Sequence, residues 1–205
     1  MLTHAKPEKM LANPQKVAEE HSVFGCRYIG LGSMPGLWSY EKPDTEMVDE
    51  FLKNYLPVMK AFHQNGKRLM YHNHQYEFAK LPGGQTMFSY IAEKTGDLLG
   101  FTVDTYWVQY GGLDPAEFIS ELKGRVPCVH FKDYAITRQQ LGNASGIVMA
   151  PVGSGNLNWP KIIAACEAAG TEYALVEQDD CYGADPFENL QKSFEFLKAQ
   201  GLKAE

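Results

Sequence analysis

Arg125-Val126-Pro127-Cys128-Val129-His130-Phe131-Lys132-Asp133-Tyr134 is a short apolar run that stops abruptly at a histidine, a lysine and an aspartate. An apolar run of about four to eight residues behind a turn signal is too short for a helix and reads as a strand buried on both faces. Alternation puts Cys128, His130 and Lys132 on one face and Val129, Phe131 and Asp133 on the other. The polar end is therefore the chemical end.

The same pattern occurs three more times. Lys67-Arg68-Leu69-Met70-Tyr71-His72-Asn73-His74 runs from apolar to polar with His72 and His74 on one face. Gly100-Phe101-Thr102-Val103-Asp104-Thr105-Tyr106-Trp107 reaches a carboxylate at Asp104, and Tyr173-Ala174-Leu175-Val176-Glu177-Gln178-Asp179 reaches another at Glu177. Strands that end in ionisable residues and are separated by helical segments are what a parallel α/β barrel or open sheet produces, because active sites gather at the C-terminal strand ends. These four ends make one candidate site.

The punctuation between them supports a βα rhythm. Asn13-Pro14, Asp114-Pro115 with Glu117, and Asp185-Pro186 with Glu188 are helix starts with a side-chain cap and proline at the first position. Lys42-Pro43-Asp44 precedes a long helix carrying Met47, Phe51, Leu52, Tyr55, Leu56, Met59 and Phe62 at helical spacing, stopped by Asn65-Gly66. Another helix spans roughly Thr86 to Lys94. Gly25 to Ser33 reads as a further strand, Met1 to His4 is too short to classify from periodicity alone, and Ala135 to Trp159 reads as a long connection. Within that connection Gly153-Ser154-Gly155 reads as a plain turn, or as backbone that approaches a phosphate.

The chain has 205 residues, 44% of them hydrophobic and 21% charged, enough to bury the core of a single domain over 1–205. A formal net charge of −6 gives no general attraction for phosphate backbones, so nucleic acid is not an expected partner. Cys26, Cys128, Cys166 and Cys181 are widely spaced and read as reduced thiols. No apolar stretch approaches the roughly 18 residues of a membrane span, and no signal-peptide core stands at the N-terminus. The expected compartment is the cytoplasm, with no membrane partner.

Tyr71-His72-Asn73-His74 with Glu77-Phe78, Val103-Asp104-Thr105-Tyr106-Trp107-Val108 with Gly111-Gly112 and Asp114-Pro115, Gly124-Arg125-Val126 with Val129-His130-Phe131-Lys132-Asp133, and Val152-Gly153 with Gly155-Asn156-Leu157-Asn158-Trp159 and Val176-Glu177-Gln178-Asp179 occur in this order over nearly the whole chain. Together they resemble the sugar phosphate isomerase/epimerase family of xylose-isomerase-like TIM barrels. The resemblance implies a (β/α) barrel with a divalent metal at its C-terminal mouth. A complete barrel has eight βα units in about 250 residues. Here strands are expected near His4, Ser33, His74, Asp104, His130 and Glu177. Thr3-His4 resembles the end of the family's third strand, so the barrel is expected to be incomplete, with about six units and the first two lacking at the N-terminal side. An uncovered parallel edge then calls for a homo-oligomer or a partner subunit that completes the barrel.

By the same resemblance Asp104, His130 and Glu177 are three of four metal ligands, a set that suits Mn, Mg, Co, Fe or Zn. The fourth is either Glu77, reaching back from its loop, or His72, which stands where many relatives carry a glutamate. Glu177, His74 and Lys132 are the expected catalytic residues: Glu177 as ligand and base, His74 or Lys132 as proton donor. His4, His72, Tyr106 and Trp107 are the expected substrate-binding residues. Tyr106 is assigned by its parity with Asp104, and Trp107 reads either as a sugar platform or as packing. Asp133, on the opposite face from His130, is expected to brace a loop, and Trp159 to pack. The implied chemistry is proton abstraction next to a carbonyl of a sugar, sugar phosphate or keto-polyol through an enediolate, hence an isomerase or epimerase. A keto-sugar dehydratase or lyase is the nearest rival, and a non-catalytic sugar-binding or partner subunit the rival from another class.

Overall fold

The computed structural model describes residues 2–39, 42, 44–141 and 144–204. Pro43 and Met1, both part of the sequence reading, lie outside them. The chain divides into two compact units, Met1–Val103 with Arg125–Pro127, and Asp104–Gly124 with Cys128–Glu205.

The first unit carries strands β1 (Leu2–His4), β2 (Tyr28–Leu31), β3 (Arg68–His72) and the body of β4 (Leu99–Asp104). They pair in parallel, with His4 opposite Gly30, Leu31 opposite Tyr71 and His72 opposite Thr102, so the polar C-terminal ends come out level. Helices α1 (Pro7–Ala12), α2 (Pro14–Ser22), α3 (Thr45–Gln64) and α4 (Met87–Thr95) provide the crossovers. Asn13 caps α2 by accepting from Lys16 N, and Asp44 caps α3 by accepting from Met47 N. The buried stripe of α3 includes Met47, Phe51, Leu52, Tyr55, Met59 and Phe62, as its spacing predicts; Leu56 of that series is only partly buried, and Val48 and Val58 are buried in addition. Each such side chain stabilises the fold by about 1.5–3 kcal/mol on burial. Arg125 ties β4 to α4: its guanidinium donates to Leu99 O, Ala92 O and Thr95 Oγ1 and lies over Phe101, while its carbonyl accepts from Phe101 N.

The second unit holds α5 (Thr105–Tyr110), α6 (Pro115–Glu121), β5 (Cys128–Phe131), β6 (Asp133–Leu141), β7 (Ala144–Ala150), α7 (Trp159–Ala169), β8 (Tyr173–Val176) and α8 (Pro186–Ala199). Here β5 and β8 pair in parallel from Cys128 opposite Tyr173 to Phe131 opposite Val176. Helices α6 and α8 start on Asp114 and Asp185, each of which accepts from two backbone N–H groups. Six parallel strands with helical crossovers make this an incomplete barrel of the (β/α) type, since a complete one has eight.

One sequence reading is corrected: the connection from Ala135 is largely an antiparallel hairpin, β6 with β7. On α8, Phe187, Leu190 and Phe194 are exposed at spacings of three and four, an apolar stripe facing solvent. No helix among the described residues is long and apolar enough to cross a membrane. All four cysteines are free, and burial pushes the Cys128 and Cys166 thiols up to about 12, which keeps them protonated and unreactive.

Candidate metal centre

In the second unit the strand ends bring Asp104, His130, Lys132 and Glu177 together. Asp104 is the last residue of β4 and the N-cap of α5; its Oδ1 accepts from Trp107 N at 3.1 Å and its Oδ2 lies 3.0 Å from Lys132 Nζ. The chain turns helical at Thr105, so strand parity ends at Asp104 and does not orient Tyr106. Tyr106 is buried and stacks on Tyr110. His130 Nδ1 pairs with Glu177 Oε2 at 2.9 Å, and Glu177 is positioned by its N–H donating to Phe131 O.

Lys132 is 1% exposed, yet it is fully paired. Its Nζ lies 3.0 Å from Asp104, 2.9 Å from Glu177 and 2.9 Å from Asp179, and 5.4 Å from the centroid of the Trp107 ring. Thr105 Oγ1 fixes its backbone, accepting from Lys132 N and donating to Lys132 O. Burial works against the ammonium, but Asp104, Glu177 and Asp179 outweigh it and hold the lysine above its ordinary range. Burial likewise opposes ionisation of Glu177, and the His130 and Lys132 contacts outweigh it, so this carboxylate stays well below its usual range. Asp179 was not singled out by the sequence reading, although it shares the parity of Glu177 two residues earlier.

Asp104, His130 and Glu177 each offer one ligand atom, and these atoms lie within 4.8 Å of one another. Two carboxylates and an imidazole fit a divalent ion, hard or borderline.

In the first unit His72 ends β3, buried, with its ring 4.6 Å from that of His74 in an edge contact. His74 Nδ1 meets Ser33 Oγ at 2.8 Å, and Trp38 packs edge-on against both His74 and Tyr76. His4 and Trp38 line one shallow concavity with Gly32 and Ser33. Glu77 is fully buried. Its Oε1 accepts from Tyr71 OH and its Oε2 from His74 N, both at 2.9 Å, while Tyr71 OH accepts from Met34 N. Ser33 and Tyr71 were missed as site neighbours because no local spacing marks them.

Burial pushes the Glu77 carboxyl up to about 7, against the bonds from His74 N and Tyr71 OH that favour the ionised form. Its folded value thus lies above the unfolded 4.5, so its stabilising share is intact below that pH and is lost as pH rises through 7. In urea melts the stability of the wild type relative to Glu77→Gln is expected to fall by roughly 3 kcal/mol between about pH 4.5 and 8. A difference that does not move with pH would contradict this.

Asp133 braces the loop after β7, as its face of the strand led one to expect. Gly153 N and Gly155 N both donate to Asp133 Oδ2 at 2.9 Å, so these groups hold a carboxylate of the chain itself and not a phosphate. A Cβ at Gly155 would stand 2.4 Å from Asp133 Oδ1, which accounts for the glycine. Trp159 packs edge-on against Phe131 and donates its indole N–H to Asp133, as its packing assignment anticipated.

Parallel βα units with helical crossovers define a barrel-type α/β protein. The chain belongs to the xylose isomerase-like TIM barrel family, whose model matches residues 3–200. Among curated proteins none matches. Among solved structures it is similar to a sugar phosphate isomerase/epimerase from Parabacteroides distasonis, at 23% identity and TM-score 0.76, over 97% of this chain and 70% of that one. It is also similar to a probable 3-DHS dehydratase from Bacillus anthracis, at 16% identity and TM-score 0.68, over 95% and 71%. A third is a xylose isomerase-like TIM barrel protein from Mycobacterium smegmatis in complex with magnesium, at 19% identity and TM-score 0.66, over 93% and 66%. At these identities the likeness concerns the fold, and the chain spans about two thirds of the length of these relatives.

Proposed function

We propose that the protein is a divalent-metal-dependent isomerase or epimerase of a sugar or keto-polyol, acting by proton abstraction next to a carbonyl through an enediolate. The observation that carries this reading is the cluster of Asp104, His130 and Glu177 at the C-terminal strand ends, with ligand atoms within 4.8 Å. For the fourth donor we assign His72 in preference to Glu77. Both oxygens of Glu77 are engaged by Tyr71 and His74, and its carboxyl is too deeply buried to turn outward cheaply. His72 ends β3 level with Thr102, two residues before Asp104 on the neighbouring strand.

A divalent ion bound there supplies Lewis-acid stabilisation of an oxyanion on the substrate. Glu177 is ionised and takes the proton. Lys132, held protonated by three carboxylates, is a poor acid near neutrality, so His74 is the better donor, its Nδ1 set by Ser33. Tyr106 and Trp107 beside the cluster, and His4 in the first unit, remain proposed substrate-binding residues. A second copy or a partner subunit is the proposed cover for the apolar stripe on α8.

The test is solvent exchange. With Mn²⁺ added, NMR in D₂O of a panel of ketoses is expected to show deuterium entering the carbon beside the carbonyl, and Glu177→Gln is expected to slow it by about 10³-fold with the circular dichroism unchanged. Undiminished exchange would remove Glu177 from the mechanism. Similarity to a probable dehydratase supports a second reading; loss of water from a keto-sugar, without a persisting exchanged substrate, would favour it.

A further inference from the structure

Lys132 is placed where a bound cation would compete with it. Its ammonium touches Asp104 Oδ2 at 3.0 Å and Glu177 Oε2 at 2.9 Å, two of the three carboxylates it meets, and both belong to the ligand cluster. The third, Asp179 Oδ2 at 2.9 Å, does not, and the Asp179 side chain is 47% exposed. Two cations cannot share the same carboxylate oxygens at contact distance without strong repulsion, least of all where Asp104 is fully buried. Without Lys132, Asp104 and Glu177 would both lose the ammonium they contact, and Asp104 would lose it at a fully buried position.

We propose that Lys132 is a built-in counter-cation of the site: it holds Asp104 and Glu177 in place of a metal, and on metal binding it withdraws from both while keeping Asp179 as its anchor. The inference rests on the metal-centre reading above. The exchange explains why a lysine sits 1% exposed among would-be ligands. It keeps the cluster assembled before loading and releases Glu177 Oε2, which in the lysine-bound arrangement also carries the His130 contact. Asp179 has a definite part in it, since an ammonium driven out of a buried site needs a counter-ion close by. The ring of Trp107, 5.4 Å away, offers a second face for the charge.

The test uses the full chain and Zn²⁺, which is diamagnetic, at fixed pH. With ¹⁵N-labelled lysine, the metal-free protein is expected to show a slowly exchanging Lys132 ammonium resonance, assigned by its loss in Lys132→Met. Saturation with Zn²⁺ is expected to move it and speed its exchange. Calorimetry is expected to show Lys132→Met binding Zn²⁺ at least about tenfold tighter than the wild type, because the competitor is gone. Asp179→Asn, at a half-exposed position that the fold tolerates, is expected to bind several-fold more weakly, because the displaced ammonium has lost its anchor. If Zn²⁺ binds at the cluster and the Lys132 resonance stays where it was, the exchange is wrong and the metal centre stands. Unchanged or weaker binding by Lys132→Met likewise overturns the exchange and spares the metal centre. If neither the wild type nor Lys132→Met binds Zn²⁺, the metal centre itself falls, and the exchange with it.

Discussion

Asp104→Asn is expected to strip the protein of bound metal and to lower turnover by about 10³-fold, while the fold survives. Asparagine keeps the oxygen that accepts from Trp107 N and is as good an N-cap as aspartate, so α5 retains its start. What it loses is the charge on Oδ2. That oxygen faces Lys132 at 3.0 Å in a fully buried position, and an amide offers no anionic donor to a divalent ion. Removing one partner of a buried ion pair usually costs about 3–5 kcal/mol. Here Lys132 keeps Glu177 and Asp179, so the cost is expected to lie at or below the bottom of that range. The measurement is elemental analysis of the wild type and variant side by side, after loading with Mn²⁺ and desalting, with solvent exchange into substrate as the second readout. Near-stoichiometric metal in both proteins would remove Asp104 from the ligand set.

Much of the fold was legible because the signals that mark it are local. Asn13, Asp44, Asp114 and Asp185 each accept from the backbone two or three residues ahead, and that geometry is written in adjacent positions. The strand ends at His72, Asp104, His130 and Glu177 were legible for a related reason, since an apolar run that turns polar must leave the core. What escaped depends on partners remote in sequence. Lys132 meets Asp179 across 47 positions, and Gly155 meets Asp133 across 22. No periodicity carries such pairings. Tyr106 was assigned by strand parity, yet Asp104 caps a helix that begins one residue later, and an aspartate followed by threonine gives little warning of it. The β6–β7 hairpin escaped because Thr137, Arg138, Gln139 and Gln140 are polar on both faces, so the alternation that announces a half-buried strand is absent.

Asp133→Ala is expected to cost more stability than any other single change near the site, about 4 kcal/mol or more. Asp133 has no exposed surface, and its two oxygens receive five donors. Oδ2 accepts from Gly153 N, Gly155 N and Trp159 Nε1; Oδ1 accepts from Tyr134 N at 2.8 Å and from Leu157 N at a longer 3.4 Å. Each buried donor left without a partner costs about 1–3 kcal/mol, reduced where water can enter. Asparagine is no gentle control, because its amide would point N–H groups at N–H groups. Gly155→Ala approaches the same contact from the other side: its Cβ would press on Asp133 and on the backbone carbonyl of Tyr134, neither of which can give way easily. Urea unfolding is expected to show both variants with a lower midpoint and an unchanged slope. A loss below about 1 kcal/mol for Asp133→Ala would mean that the loop is held by something other than this carboxylate. The effect is expected to reach the site as well, because Trp159 packs on Phe131, the neighbour of His130 in β5. Loosening that contact is expected to let the imidazole wander from Glu177, and on the proposed reading of the cluster to weaken metal binding without any proposed ligand having been touched.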